Sequence, residues 1–243
     1  MKLFERHARG LRLTGPGRTY AASVQKGLNI IDEATNKLSP APAKINLSLP
    51  PSLATKWLVP RLKEFMRANP TIEVNTIASE KLANFTSDGV TLAIRIGKRP
   101  KQASLKVREL SPLNMVAVCS PRLAERIGAA PELEDLTRHP LIHDEHNYWM
   151  KLIDSAGLDA PRASMSFNQT ALAVDAAAAG EGVALVPRLI ACSGLANGSL
   201  VEIWKNDAPL HDAYYLVWPS AAQPNAARDA MISWLLDEAT KHT

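Results

Sequence analysis

Cysteine is nearly absent, with only Cys119 and Cys192 in 243 residues. Neither belongs to a Cys-x-x-Cys pair, which excludes a disulfide framework and a cysteine-rich zinc module and fits a reducing compartment. Aromatic residues are scarce, at 5%, while alanine is abundant, a balance that favours helices with small-residue contacts over a β-sandwich. No apolar run of about 18 residues occurs, so no segment reads as membrane-spanning. The opening stretch MKLFERHARGLRLTGPG has no continuous apolar core of the kind a secretory signal needs. The expectation is a cytoplasmic protein with no membrane partner. Enzyme signatures are missing as well: there is no Gly-x-Ser-x-Gly, P-loop, dinucleotide fingerprint or His-Glu-x-x-His. Neither catalysis nor a cofactor is expected.

What is present is an ordinary globular composition, 46% hydrophobic and 21% charged, enough to build a sizeable core. The net charge of +4 matters less than its placement. Lys2, Arg6, Arg9, Arg12 and Arg18 crowd the N-terminal end against the single acid Glu5. Such a patch suits either a phosphate contact or a solvated basic terminus, and composition alone leaves both open.

Three pieces follow one another. Residues 1–17 read as a basic head with a small hairpin, since Leu11 and Leu13 flank Arg12 after the turn-like Arg9-Gly10. Residues 18–38 place Ala21, Val24, Leu28, Ile31, Thr35 and Leu38 at alternating steps of three and four. That pattern fits a short dimerising heptad seam and also a single amphipathic helix packed on its own domain. Ser39-Pro40-Ala41-Pro42-Ala43 is a linker. From residue 44 onward strands and helices alternate, including strands at 45–49, 72–77, 90–96, 105–110 and 114–119 and helices at 53–68, 121–127 and 226–240. The expected fold class is α/β with mainly parallel sheets.

Several stretches, taken in order, resemble the LysR-type transcription regulators, and most of all the subgroup that includes glycine-cleavage and β-lactamase regulators. LFERHARGLRLTGPG resembles the wing of their winged helix-turn-helix; LPPSLATKWLVPRLKEFMRANPTIEV resembles the first strand, helix and second strand of their effector domain. GVTLAIRIG, VAVCSPRL, AAAAGEGVALVP and YYLVWPSAAQ with MISWLLDEA follow in the same order. Two departures stand out. Met1 lies almost at the wing, so the recognition helix that would enter the major groove is not in this chain. Thr91 stands where the family usually carries an acid.

The resemblance implies a remnant wing at 1–17, a linker and dimerisation helix at 18–43, and an effector domain at 44–243 of the two-lobed, type II periplasmic-binding-protein kind. Lobe I is expected at 45–118 plus 217–243 and lobe II at 119–212, with crossovers near Val116–Ser120 and Asp212–Leu216. It implies a small-molecule effector in the inter-lobe cleft, an amino acid or other carboxylate among the options. It also implies DNA as partner through the full-length head, and self-association. A solute-binding protein of a transporter, or a headless subunit that modulates full-length relatives, would use the same two lobes.

Within that geometry, strand ends and helix N-termini nominate the effector-binding residues. Ser52 follows the first strand and suits an anion or a plain N-cap. Ser79 and Asn84 follow the second strand, and Arg95 ends the next, where it pairs either a ligand acid or a structural partner. Gln169 and Thr170 precede an Ala-rich helix, with Asn168 assigned to capping. Tyr214 resembles the tyrosine that the family places at the cleft base, and His143 ends a strand at the cleft mouth. Arg6, Arg9 and Arg12 would touch DNA phosphates as part of the wing. The run His143-Asp144-Glu145-His146 puts two histidines and two acids side by side, but its spacing matches no zinc pattern, so no metal is expected.

Overall fold

The protein is described here from a computed structural model, over residues 2–7, 10–38, 43–81, 85, 88–128, 131–159, 165–206 and 211–241. The chain divides into two compact units, Met1–Ala43 and Lys44–Thr243. Among the described residues, no helix is long and apolar enough to cross a membrane.

In the first unit, β1 (Phe4–His7) and β2 (Gly10–Leu13) form an antiparallel hairpin that pairs Glu5 with Arg12 and Arg6 with Leu11. Helix α1 runs Gly15–Leu38, three residues earlier than the heptad pattern suggests. Thr14 sets that start: its hydroxyl accepts the Gly17 N–H at 3.0 Å and donates to the Lys2 carbonyl at 2.8 Å. A Cβ at Gly17 would lie 2.1 Å from the Leu3 carbonyl oxygen, so only glycine lets the helix start so close to the hairpin. Val24, Leu28 and Ile31, three members of the apolar seam, are exposed within the chain.

The second unit holds two five-stranded sheets. Sheet I contains β3 (Ala43–Leu49), β4 (Ile72–Ala78), β5 (Leu92–Gly97), β6 (Leu105–Pro112) and β12 (Ala213–Pro219), in the order β4-β3-β5-β12-β6. Sheet II contains β7 (Met115–Cys119), β8 (Leu141–His143), β9 (Met165–Ser166), β10 (Val183–Pro187) and β11 (Val201–Lys205), in the order β11-β7-β10-β8-β9. All five residues of β7 and of β10 are buried, as their unbroken apolar runs MVAVC and VALVP require of central strands.

Both sheets are mixed rather than mainly parallel. β3 pairs with β5, and β8 with both β10 and β9, in parallel, but β12 runs antiparallel to β5 and β6, and β7 antiparallel to β10 and β11. The antiparallel places are taken by β7 and β12, the strands that start directly after each passage between the lobes. The lobe boundary therefore differs from the expected one. Val116–Cys119, expected in a crossover, lies inside β7 and pairs with lobe II strands; Ala213–Leu216 lies inside β12 of lobe I. The passages between lobes are the short steps at 113–114 and 212, joined by a hydrogen bond from the Leu113 N–H to the Asp212 carbonyl at 3.2 Å.

Helices cover both sheets. In lobe I these are α2 (Pro51–Leu53), a π-helical turn (Ala54–Leu58), α3 (Val59–Ala68) and the terminal α9 (Ala226–Thr240). Phe65 of α3 stacks obliquely on Trp234 of α9 with ring centres 5.3 Å apart. Lobe II carries α4 (Pro121–Ile127), α5 (Leu133–Leu136), α6 (Tyr148–Ser155), α7 (Thr170–Ala178) and α8 (Arg188–Ala196). The turn after α7 needs Gly182, whose added Cβ would meet the Pro140 carbonyl oxygen at 2.4 Å. The short helix expected between Asn84 and Gly89 falls largely outside the described residues.

Candidate functional site

The lobes meet along the helical run that begins at Pro51, and Pro60 shapes that run. Proline has no N–H to give the carbonyl four residues back, and its ring displaces that carbonyl. The backbone widens ahead of it into the π-turn, where the Val59 N–H reaches the Ala54 carbonyl. The freed Lys56 carbonyl accepts the hydroxyl of Ser193 on α8 at 3.2 Å. Arg61 completes this seam. Its Nη1 donates to the Trp57 carbonyl at 2.9 Å and to Ser193 Oγ at 3.2 Å; its Nη2 donates to Cys192 Sγ at 3.2 Å. Its Nε pairs with Glu238 of α9 at 3.3 Å, and both side chains are largely buried. Lys56 forms an ion pair with Asp175 of α7.

Ser52 belongs to the same seam and does not cap its own helix, whose N-cap is Pro50. Its buried Oγ accepts the N–H of Ala171 at 3.0 Å. Ala171 is the second residue of α7, and the N-cap of that helix, Gln169, offers no side-chain bond. Lobe I therefore supplies the cap that lobe II lacks. Asn168, expected in that role, lies one residue outside the N-cap and is exposed. Thr170 donates to Asp144 Oδ2 at 2.6 Å, and Asp144 Oδ1 accepts the His146 N–H at 3.0 Å, so the loop after β8 is tied to the start of α7.

Beyond this seam, charged groups of the two lobes face one another. Glu80, after β4 in lobe I, keeps an exposed surface but has its pKa raised above 4.5 by partial desolvation and then by Glu145 of lobe II; His146 and Arg95 pull it the other way. Tyr214 is buried on β12 between Ile96 and Ser111. Burial raises its phenol pKa, and Tyr148, Glu80 and Asp144, from both lobes, raise it further.

Arg95 serves the frame of lobe I. Its Nη2 donates to Ser48 Oγ at 2.6 Å and to the Lys81 carbonyl at 2.9 Å, and its Nη1 to the Ser48 carbonyl at 3.1 Å and the Ile94 carbonyl at 2.6 Å. Its Nε is buried without a partner among the described residues. Burial lowers its pKa, with Glu80 opposing. Ser79 lies on the rim: its N–H donates to the Leu49 carbonyl at 2.9 Å and its Oγ accepts the Lys81 N–H at 3.2 Å.

His143 ends β8 as expected but is buried rather than open at a mouth. Its Nε2 has no partner among the described residues, and burial lowers its pKa below 6.5 against the pull of Asp144, so the folded protein keeps it neutral at pH 7. Asn84 and Arg9 lie outside the described residues; Arg6 and Arg12 are exposed on the hairpin. Among the described residues no three His, Cys, Asp or Glu side chains gather to hold a metal. The buried Cys119 thiol is pushed up to about 11 by desolvation, which makes it a poor nucleophile.

Ser52, Gln169 and Thr170 are thus brought to one line across the lobes, and Tyr214 joins Glu80 and Asp144 beside it. Lys56, Arg61, Glu80 and Ser193 escaped the sequence reading, and Asp144 entered it only as part of the run His143-Asp144-Glu145-His146. Pro60 was the one local signal, since an internal proline always frees a carbonyl.

Residues 40–240 match the family described as the LysR substrate binding domain. The chain is 33% identical over 244 residues to the glycine cleavage system transcriptional activator of Escherichia coli K12, covering 98% of this chain and 80% of the relative. It is also 33% identical to the HTH-type transcriptional regulator PerR of the same organism, covering 98% and 81%. Among solved structures, the effector domain of the regulator AmpR of Pseudomonas aeruginosa superposes with a TM-score of 0.65 at 23% identity, over 82% of this chain and 96% of that one. CrgA of Neisseria meningitidis, a LysR-type transcriptional regulator, superposes with a TM-score of 0.65 at 17% identity, over 98% and 84%.

Proposed function

Because the chain belongs to the LysR family of transcriptional regulators, with a two-lobed effector domain and no enzymatic role, we propose that it senses a small anionic effector at the seam between its lobes. The observation that carries this reading is the Ser52–Ala171 hydrogen bond. It sets a neutral hydroxyl on the N-terminus of α7, where an anion's oxygen would be a stronger acceptor. A carboxylate entering from the Glu80 side would take over that N–H, with Gln169 and Thr170 beside it and Tyr214 at the base. Ser79, Arg95 and His143 would act around this centre by holding its walls. The lobe arrangement that results would be passed to DNA-dependent transcription.

Two further parts of the reading concern the first unit. Arg6, Arg9 and Arg12 position the hairpin against DNA phosphates, and the exposed Val24, Leu28 and Ile31 of α1 face the same residues of a second copy.

The test is a thermal-shift screen of small carboxylates beside their amides. Carboxylates should raise the melting temperature and the amides should not, and Thr170→Val should weaken the response about tenfold, or 1.4 kcal/mol. Equal responses to acids and amides, or an unchanged response in Thr170→Val, would move the effector elsewhere.

A further inference from the structure

A cavity of about 330 Å³ lies beside α6, and neither Ser52 nor Ala171 is among the residues that line it. Tyr148, Lys151, Leu152 and Ser155 line it at helical steps of three and four, which is one face of α6. That face stands off the sheet instead of closing on it. The floor is apolar, made by Met115 of β7, Leu185 of β10 and Leu152. Its polar groups have opposite charge and separate places. Lys151 Nζ sits 5.2 Å from the centre of the Tyr148 ring. The carboxylate of Asp212, on the crossover, lies close enough to the Tyr148 phenol to raise its pKa, after burial and Asp144. The volume falls in the range of about 300–1,000 Å³ found for small-ligand pockets, and an apolar floor with a few convergent polar groups is the usual lining.

We propose that this cavity is a second binding site, taking a small zwitterion with an apolar side chain: the ammonium on Asp212, the carboxylate on Lys151 and the side chain on the floor of Met115, Leu152 and Leu185. The site touches both passages between the lobes. The Met115 carbonyl accepts the Asn206 N–H at 2.9 Å, and the Asp212 carbonyl accepts the Leu113 N–H at 3.2 Å. A ligand held between Asp212 and the end of β7 therefore biases the angle between lobes from the hinge, without entering the seam.

The test is calorimetric titration of the full chain with L-leucine, L-methionine and L-phenylalanine, each beside its N-acetyl and amide derivatives. At least one free amino acid should bind saturably at millimolar concentration or below, and both derivatives, each lacking one charge, should bind more weakly. Asp212→Asn and Lys151→Gln should each weaken binding about tenfold or more, while Ser52→Ala, which removes no group of the cavity and acts only through the lobe arrangement, should change it less than either. Lys151 is exposed, so its variant tests the site without risk to the fold. The proposal is overturned if no amino acid binds, if both variants bind like the parent, or if Ser52→Ala abolishes binding that Asp212→Asn leaves intact. The last result would assign the ligand to the seam and leave the anionic-effector reading standing.

Discussion

Along α2, the π-turn and α3 the lobes meet through direct hydrogen bonds and ion pairs, with Trp57 Nε1 left unpartnered among the described residues, whereas around Glu80 they meet through charged groups of both signs. On the first side the carbonyl freed by Pro60 takes Ser193, Arg61 spreads its donors over both lobes, and Ser52 caps α7. On the second side the Glu80 carboxyl is raised first by desolvation and then by Glu145 of the other lobe, with His146 and Arg95 acting the other way. A hydrogen-bonded buried network holds one geometry; an exposed charged one holds none strongly. The difference teaches that directional hydrogen bonds fasten the lobes on one side, while on the other they face each other through exposed charges such as Glu80 and Glu145.

The largest effect should come from cutting the fastened side at its centre. Arg61→Ala takes the guanidinium from Glu238, nearly buried, which keeps its ion pair with Lys241, and removes the donors to Trp57, Ser193 and Cys192. A loss of about 3 kcal/mol is expected in urea unfolding; a loss within error of zero would show that the seam holds nothing. Ser52→Ala is next, because it leaves the buried Ala171 N–H unsatisfied. It should cost about 1–2 kcal/mol in the same measurement. Ser52→Thr, which keeps the hydroxyl, should recover part of that.

The charged side should show a smaller effect of opposite sign. Glu80 has a raised pKa when folded, so the folded state binds its proton more tightly than the unfolded state does. Its ionisation therefore works against folding: stability falls as pH rises from the unfolded value, near 4.5, through the folded value above it. Glu80→Gln should flatten the stability profile in that window and leave the protein slightly more stable at pH 7. A profile unchanged by the substitution would remove the Glu80 titration, by desolvation and by Glu145 alike, from the account.

His143 gives a contrast within lobe II. Its folded pKa is lowered, so the stability it protects is present above 6.5 and is lost as pH falls from 6.5 through the folded value. His143→Gln should reduce the slope of stability against pH in that range, as followed by circular dichroism. A slope that persists would assign the acid sensitivity to another group.

Much of the fold was readable because it is local. The helices Pro121–Ile127 and Ala226–Thr240 and the strand Leu141–His143 have the bounds that their caps and apolar periods indicate. What periodicity could not show is partnership. β7 reads as an apolar strand in either lobe, and only its pairing with β10 and β11 places it in lobe II. The candidate site was harder for the same reason. Ser52 was recognised as a residue at a strand-to-helix turn, but its partner lies 119 positions away, and no spacing along the chain reveals that. Asp144 was seen only as part of a run of metal-ligand types, while its carboxylate in fact takes the Thr170 hydroxyl and the His146 N–H. Resemblance to the family supplied the two lobes; the chemistry between them came from the folded chain.

Amide hydrogen exchange at Ala171, followed by NMR on the unliganded chain, tests the fastened seam most directly. The N–H bonds to no group in its own helix and depends on Ser52 of the other lobe. If the lobes are held together there, this amide exchanges with a protection close to that of the core strands. Exchange at the rate of an exposed helix N-terminus would mean that the lobes part freely at this point, and would contradict the account.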